Sequence, residues 1–432
     1  MTTTKHRAAG STASFRSIHL TARRSVSAAM GLLFFGLTAC DGLLEVSNPG
    51  RVSEGDLSNP ALVQTLVNSA LGQFECAYTN YVATSGIMAN EYVNASSWLD
   101  INGWGWRGIE LKTITGSCPT TRTATGLGAY TPLQQARYQA EDAALRIEAF
   151  PEEQVQNKSE KLGLLSAYAG YSYVLLGEGY CEMAIDQGPL MTPQEVLAIA
   201  ETKFSEAIGF AQAAGREDLR LLATAGRART RLDLGNLSGA AADADEIPEG
   251  FLWNAEYSTT DARRENRVYN LNRNSHYLSV EVTKNMNLMA GGEPDPRISF
   301  TDAGVKGHDG VTEQYYQNKY PTADSPIPMA SWREAQLIIA EARPSETIDA
   351  INRLRASQGI PDVTTEEAAD LEALVIEERR RQLFSEGHRL NDMLRHHIPF
   401  PTGENHKGQP WGTMTCMPLP DQEKINNPNI GG

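Results

Sequence analysis

Residues 217–249 carry two apolar stripes with a turn between them. Leu221, Leu222, Ala225, Ala228 and Leu232 recur at helical spacing and run up to Gly235-Asn236. Ala240, Ala241, Ala244 and Ile247 line a second helix, which stops at Pro248. Small residues at these positions let two helix axes approach closely. Residues 158–214 read as a similar pair with an inserted loop at 177–189. Its second helix opens on Thr192-Pro193-Gln194-Glu195, an N-cap with proline at the first helical position. Residues 330–356 read as another pair, and further helices are expected at 60–74 and 132–150. A pair of this kind buries one face at most by itself, so several must stack.

The 217–249 pattern resembles a tetratricopeptide repeat. The fold class expected is mostly α: at least three or four stacked tetratricopeptide-like helix pairs, interrupted by an irregular, loop-rich lobe. The lobe is expected from two aromatic stretches without clear periodicity. One spans 76–130 and holds Tyr78, Tyr81, Tyr92, Trp98, Trp104, Trp106 and Tyr130. The other spans 250–330 and holds Phe251, Trp253, Tyr257, Tyr269, Tyr277, Tyr315, Tyr316 and Tyr320. The tail from 398 to 432 is rich in proline and glycine.

The N-terminus reads as an export signal over residues 1–39. Lys5, Arg7, Arg16, Arg23 and Arg24 form a basic region, and 26–37 is a short apolar run. That run is shorter than the ~20 apolar residues a spanning helix needs, and no later segment reaches that length. Leu37-Thr38-Ala39-Cys40 has the form of a lipobox. The expectation is cleavage before Cys40, lipidation of its thiol and amino group, and a tether over 40–59. Each buried acyl methylene contributes ~0.8 kcal/mol, so several chains make a stable anchor. The mature chain is long enough for a large core in one or two domains.

Loss of residues 1–39 removes five basic and no acidic residues, taking the formal net charge from −15 to −20. So acidic a body repels nucleic acid and anionic headgroups. Besides Cys40 the chain has Cys76, Cys118, Cys181 and Cys416. An even number in an exported protein favours disulfides, and no C-x-x-C spacing points to zinc. Three connectivities are open. Cys76–Cys118 with Cys181–Cys416 is preferred, because the first pair brackets one loop-rich segment.

Near the C-terminus stands Glu377-Glu378-Arg379-Arg380-Arg381-Gln382-Leu383-Phe384-Ser385-Glu386-Gly387-His388-Arg389-Leu390-Asn391-Asp392-Met393-Leu394-Arg395. It resembles the signature helix of the RagB/SusD family, E-R-R-x-E-L-x-x-E-G-x-R-x-x-D-L-x-R. Gln382 and Leu390 depart from it mildly. The stretch at 333–342, Ile351-Asn352-Arg353-Leu354-Arg355 and the closing Asn427-Pro428-Asn429 extend the likeness. The resemblance implies one SusD-like domain over 60–432, with about four tetratricopeptide-like helix pairs as a scaffold and the irregular lobe packed on it, in a surface-exposed, lipid-anchored outer-membrane protein for nutrient uptake. Such a protein binds a glycan or another oligomeric nutrient and passes it to a SusC-like TonB-dependent barrel. Asp41 after Cys40 is a residue that retains lipoproteins at the inner membrane in some bacteria, so the outer-membrane expectation rests on the resemblance. Alternatives from other classes are a lipid-anchored carbohydrate-active enzyme and a tetratricopeptide adaptor for envelope assembly.

The carboxylates of Glu377, Glu378, Glu386 and Asp392 invite a glycosidase reading. Arginines interleaved with them lower carboxyl pKa values and suit a salt-bridge network instead, so no catalytic residue is assigned. His388, Asp392 and His396 share one face if helical, with His397 beside them, but no motif supports a metal, and no cofactor is expected. Sugar rings lie flat on aromatic rings while amides and charges bond their hydroxyls. Trp98, Asn102, Trp104 and Trp106 offer both groups, and the glycines between the tryptophans read as a loop. Tyr315 and Tyr316 are expected opposite them. These six are the candidate ligand-binding residues.

Overall fold

The computed structural model describes residues 57–108, 115–119, 126–290 and 292–430. The expected export signal, Cys40 and most of the expected tether lie outside the described residues.

Asn59 opens the described body. Its side chain accepts a hydrogen bond from the Ala61 amide at 3.0 Å and caps a short 3-10 turn, Pro60–Leu62, that leads into α1 (Val63–Met88). The helix expected at 60–74 thus runs on to Met88, into the stretch read as irregular. The reason is burial: every residue from Gln73 to Met88 is buried, so no polar face marks the turn of the helix. Helix α2 (Leu99–Gly105) is a second correction, because it is helical where the glycines suggested a loop. Gly105 is required by packing there: a Cβ on it would lie 2.5 Å from that of Asn94.

The scaffold follows. Helices α3 (Tyr130–Ala149), α4 (Lys158–Gly179), α5 (Pro193–Ala214), α6 (Glu217–Asp233) and α7 (Leu237–Asp245) pack each on the next. Thr192 and Glu195 form the reciprocal cap that starts α5, and Gly215, at φ 65°, ends it. After the second aromatic stretch come α9 (Trp332–Ala342) and α10 (Thr347–Ala356). The pairs α1/α3, α4/α5, α6/α7 and α9/α10 are in contact, and α3/α4, α5/α6 and α7/α9 join one pair to the next. The mostly helical, paired scaffold is the expected fold class.

The lobe is built from short antiparallel ribbons. Strand β1 (Tyr92–Asn94) pairs with β5 (Leu278–Val280), β4 (Leu252–Ala255) with β10 (Ile327–Ser331), and β8 (Phe300–Lys306) with β9 (Glu313–Gln317). Two smaller ribbons are β2 (Met183–Ala184) with β3 (Leu190–Met191), and β6 (Met289–Ala290) with β7 (Glu293–Pro294). A helical turn, α8 (Arg267–Tyr269), runs into a π-turn at Asn270–Asn274. Lobe and scaffold share one core, in which Phe74, Tyr81 and Phe204 are continuous with Leu278, Val280, Tyr320 and Ile351.

The signature stretch is two helices, not one. Helix α11 (Leu371–Gln382) ends, Ser385 and Gly387 take positive φ (60° and 92°), and α12 (Arg389–Arg395) begins. The break lies before His388, so His388, Asp392 and His396 run along α12 from its N-cap to its C-cap, but each is engaged with a different partner. His388 is buried and lies 4.0 Å from Glu334, Asp392 holds Arg379 and Arg395, and His396 is 3.3 Å from Glu341. No cluster of metal-ligating residues occurs among the described residues. A last short helix, α13 (Asp421–Asn426), follows the tail. Disulfides join Cys76 to Cys118 and Cys181 to Cys416, with Cα–Cα distances of 5.9 and 5.3 Å.

Candidate functional site

Strand β1 leaves the core through Ala95, and the chain then turns across the lobe surface. The Ala95 amide donates to the Tyr277 carbonyl at 2.9 Å, and the Asp309 amide donates to the Ala95 carbonyl at 2.9 Å. Gly307 permits this approach, since a Cβ on it would meet that of Ala95 at 2.5 Å. The result places Trp98 against His308. Their rings are stacked, with centroids 6.1 Å apart and planes inclined by 11°. Trp98 is 49 % exposed, an unusual degree for so large an apolar ring.

The aromatic run continues from His308. The edge of its ring meets Tyr277 at 4.9 Å, and its amide donates to the His276 carbonyl at 3.0 Å. His276 sits at φ 55°, and its Nε2 lies 2.7 Å from the Tyr316 hydroxyl. Arg273 stacks over the Tyr316 ring at 5.0 Å and donates to the Asn318 side chain at 2.8 Å. Trp98, His308, His276, Tyr316 and Arg273 therefore form one surface of ring faces with hydrogen-bonding groups beside them.

Not all six candidate residues reach this surface. Tyr315 and Tyr316 are neighbours on β9, so their side chains leave opposite faces of the strand. Tyr316 faces the aromatic run, while Tyr315 packs on the core edge-on to Phe300 at 6.0 Å. Trp104 is 1 % exposed and belongs to the core, which corrects its expected role as a stacking platform. On a helix as short as α2, Ile101, Trp104 and Gly105 share the inward face. Asn102 is also buried, and its side-chain oxygen accepts from the Asn94 side-chain Nδ2, so it supports the turn from behind. Trp106 is half-buried beyond the other end of α2, where its carbonyl accepts from the Gly412 amide at 2.7 Å.

His308, His276 and Arg273 were missed by reading for tryptophan and tyrosine. The available signal was the turn around His308, with Gly307 before it and Asp309-Gly310 after it. Positive-φ His276 had no signal, because its conformation is fixed by tertiary contact.

The carboxylates of the signature stretch are engaged in ion pairs. Glu378 is held by Arg297 and Arg355, Asp392 by Arg379 and Arg395, and Glu386 by Lys319. Burial raises the Glu377 carboxyl, but Arg380 and Arg381 outweigh it and leave the pKa below the ordinary value. Glu178 and Asp233 line a cavity of about 570 Å³, and burial raises both pKa values. Asp233 is held by Arg395 at 3.2 Å, accepts from the Asn391 side chain at 2.8 Å and hydrogen-bonds Glu178, so both carboxyls are engaged in a buried network.

Residues 253–415 match the SusD family. Among curated proteins none matches this sequence. A SusD superfamily protein from Bacteroides fragilis shares the fold with a TM-score of 0.61 at 13 % identity, over 86 % of this chain and 99 % of its own. A SusD-like carbohydrate binding protein from Bacteroides vulgatus superposes with a TM-score of 0.57 at 14 % identity, over 86 % and 97 %. Surface glycan-binding protein A from Bacteroides thetaiotaomicron, in complex with laminarihexaose, does so with a TM-score of 0.62 at 11 % identity, over 85 % and 97 %. The family match covers the second aromatic stretch, α9 to α12 and the start of the tail, and the likeness in fold extends through the helix pairs before them.

Proposed function

We propose that the chain is a lipid-anchored, surface-exposed glycan-binding protein of the outer membrane that passes its ligand to a SusC-like TonB-dependent barrel. The match to the SusD family and the fold shared with a glycan-binding protein support a binding role rather than catalysis. The observation that carries the ligand side is the exposed Trp98 ring stacked with His308, from which the surface runs on to Tyr316 and Arg273. A pyranose ring lies with its C–H face on Trp98, and the imidazoles and Arg273 bond its hydroxyls. The fold shared with a laminarihexaose-bound protein supports a glycan as the ligand class. The anchor rests on the lipobox at Cys40. Among the described residues no helix is long and apolar enough to cross a membrane.

Trp98→Ala should weaken glycan binding by ~1–3 kcal/mol, about one to two decades in affinity. The ring is half in solvent, so the melting temperature should stay near that of wild type. Calorimetry against a panel of neutral oligosaccharides, with Tyr316→Ala alongside, provides the measurement. Unchanged affinity in both variants defeats the assignment of this surface. Separately, Cys40→Ala is expected to move the protein from the membrane fraction to the soluble one. A variant still pelleting with membranes would show another anchor.

A further inference from the structure

At the far end of α2 from Trp98 lies a different cavity, of about 580 Å³. Its floor includes Arg107, and Phe400, Pro401, Trp411, Thr402 and Thr413 stand around it. Arg107 is held at φ 57°, a left-handed conformation that a residue with a side chain adopts only where its surroundings impose it. The tail imposes it here. Gly412 crosses so close that a Cβ on it would touch the Arg107 carbonyl, and the Met414 amide donates to that same carbonyl at 3.4 Å.

Arg107 is 2 % exposed, yet it has no carboxylate partner among the described residues. Its guanidinium donates to two backbone carbonyls, those of Met414 at 3.2 Å and of Pro401. It packs over the rings of Phe400 and Trp411, at 5.0 and 5.1 Å. Its Nε has no hydrogen-bond partner among the described residues. Desolvation pushes it below the ordinary arginine pKa. The 570 Å³ cavity has Glu178 and Asp233 in its wall, whereas no acidic side chain lines this one among the described residues. In a protein of net charge −15, that is a local reversal of sign.

A buried cation without a counter-ion is costly, and an anion brought within ~4–6 Å lowers that cost. The ring faces of Phe400 and Trp411 supply apolar contact for the body that carries the anion. We propose that this cavity is a second ligand subsite, which takes the carboxylate of an acidic sugar against Arg107. The sugar part of this inference rests on the glycan-binding role proposed above; the anion part rests on the cavity alone.

The test titrates purified full-length protein with D-glucuronate, D-glucose and inorganic phosphate by calorimetry, at low and high salt. Glucuronate should bind at least about tenfold tighter than glucose and lose affinity with salt. Thr413 is exposed on the rim, so Thr413→Glu should fold normally and supply the missing carboxylate internally. It is expected to keep or raise the melting temperature and to abolish glucuronate binding. Trp98→Ala should bind glucuronate as wild type does, which separates this cavity from the Trp98 surface. Equal affinity for glucuronate and glucose, full binding by Thr413→Glu, or loss in Trp98→Ala would each overturn the proposal. Phosphate binding as tightly as glucuronate would overturn the sugar assignment.

Discussion

Replacing Glu378 with alanine is expected to destabilise the fold by about 3–5 kcal/mol, the usual cost of removing one partner from a buried ion pair. Glu378 is 1 % exposed and serves two arginines at once. One carboxylate oxygen accepts from Arg297 at 2.5 Å, the other from Arg355 at 2.7 and 3.2 Å. Arg297 belongs to the lobe and Arg355 to α10, while Glu378 itself is on α11. The carboxylate therefore ties scaffold, signature helix and lobe together. Without it each guanidinium keeps one acid, Asp295 or Glu367, and loses the other inside the protein. The neighbouring Glu377 makes the internal control. Its side chain is 36 % exposed and pairs with Arg380 and Arg381 of its own helix. Such surface pairs contribute about 0–1 kcal/mol, so Glu377→Ala should hardly move the denaturation midpoint. Chemical denaturation of both variants decides the matter. If Glu378→Ala unfolds at the wild-type midpoint, the ion-pair network is not what holds α11.

That network was legible as alternating acids and bases, but its partners were not. Arg297 and Asp295 lie in a stretch with no periodic pattern, and only the fold brings them to Glu378. Helices with one wet face were readable, as α6 and α7 show, because solvent imprints a 3.6-residue period on sequence. The second half of α1 was not, because burial on all sides erases the period. The candidate surface was half legible for a related reason. Tryptophan composition singled out the stretch from 98 to 106 but does not say which ring faces out. That depends on α2 turning Trp104 inward and leaving Trp98 before its first turn. The hydrogen-bonding half of the surface depends on the His308 turn reaching Ala95, a contact between residues more than two hundred positions apart.

Loss of the Cys181–Cys416 disulfide should cost more than loss of Cys76–Cys118. In the chain-entropy account a crosslink stabilises by restricting the unfolded chain, and its effect grows with the logarithm of the loop it closes. The two loops span 235 and 42 residues. Their ratio corresponds to a difference of about 1.5 kcal/mol, on top of the 2–5 kcal/mol typical of removing a native disulfide. Local structure points the same way. Cys181 follows the end of α4, and its amide donates to the Met417 carbonyl at 3.0 Å, while the Met417 amide donates to the Gly179 carbonyl at 2.8 Å. The bond thus fastens the tail to the scaffold, and that tail forms one wall of the Arg107 cavity. Cys76, by contrast, sits within α1, where the surrounding core holds it in place whether or not it is bonded. Double serine variants of each pair, compared by urea denaturation, give the two costs directly. The 181/416 variant should also lose any glucuronate binding before it unfolds, because the cavity wall is released first. A larger cost for the 76/118 variant would mean that the buried environment of Cys76, and not loop closure, sets the scale.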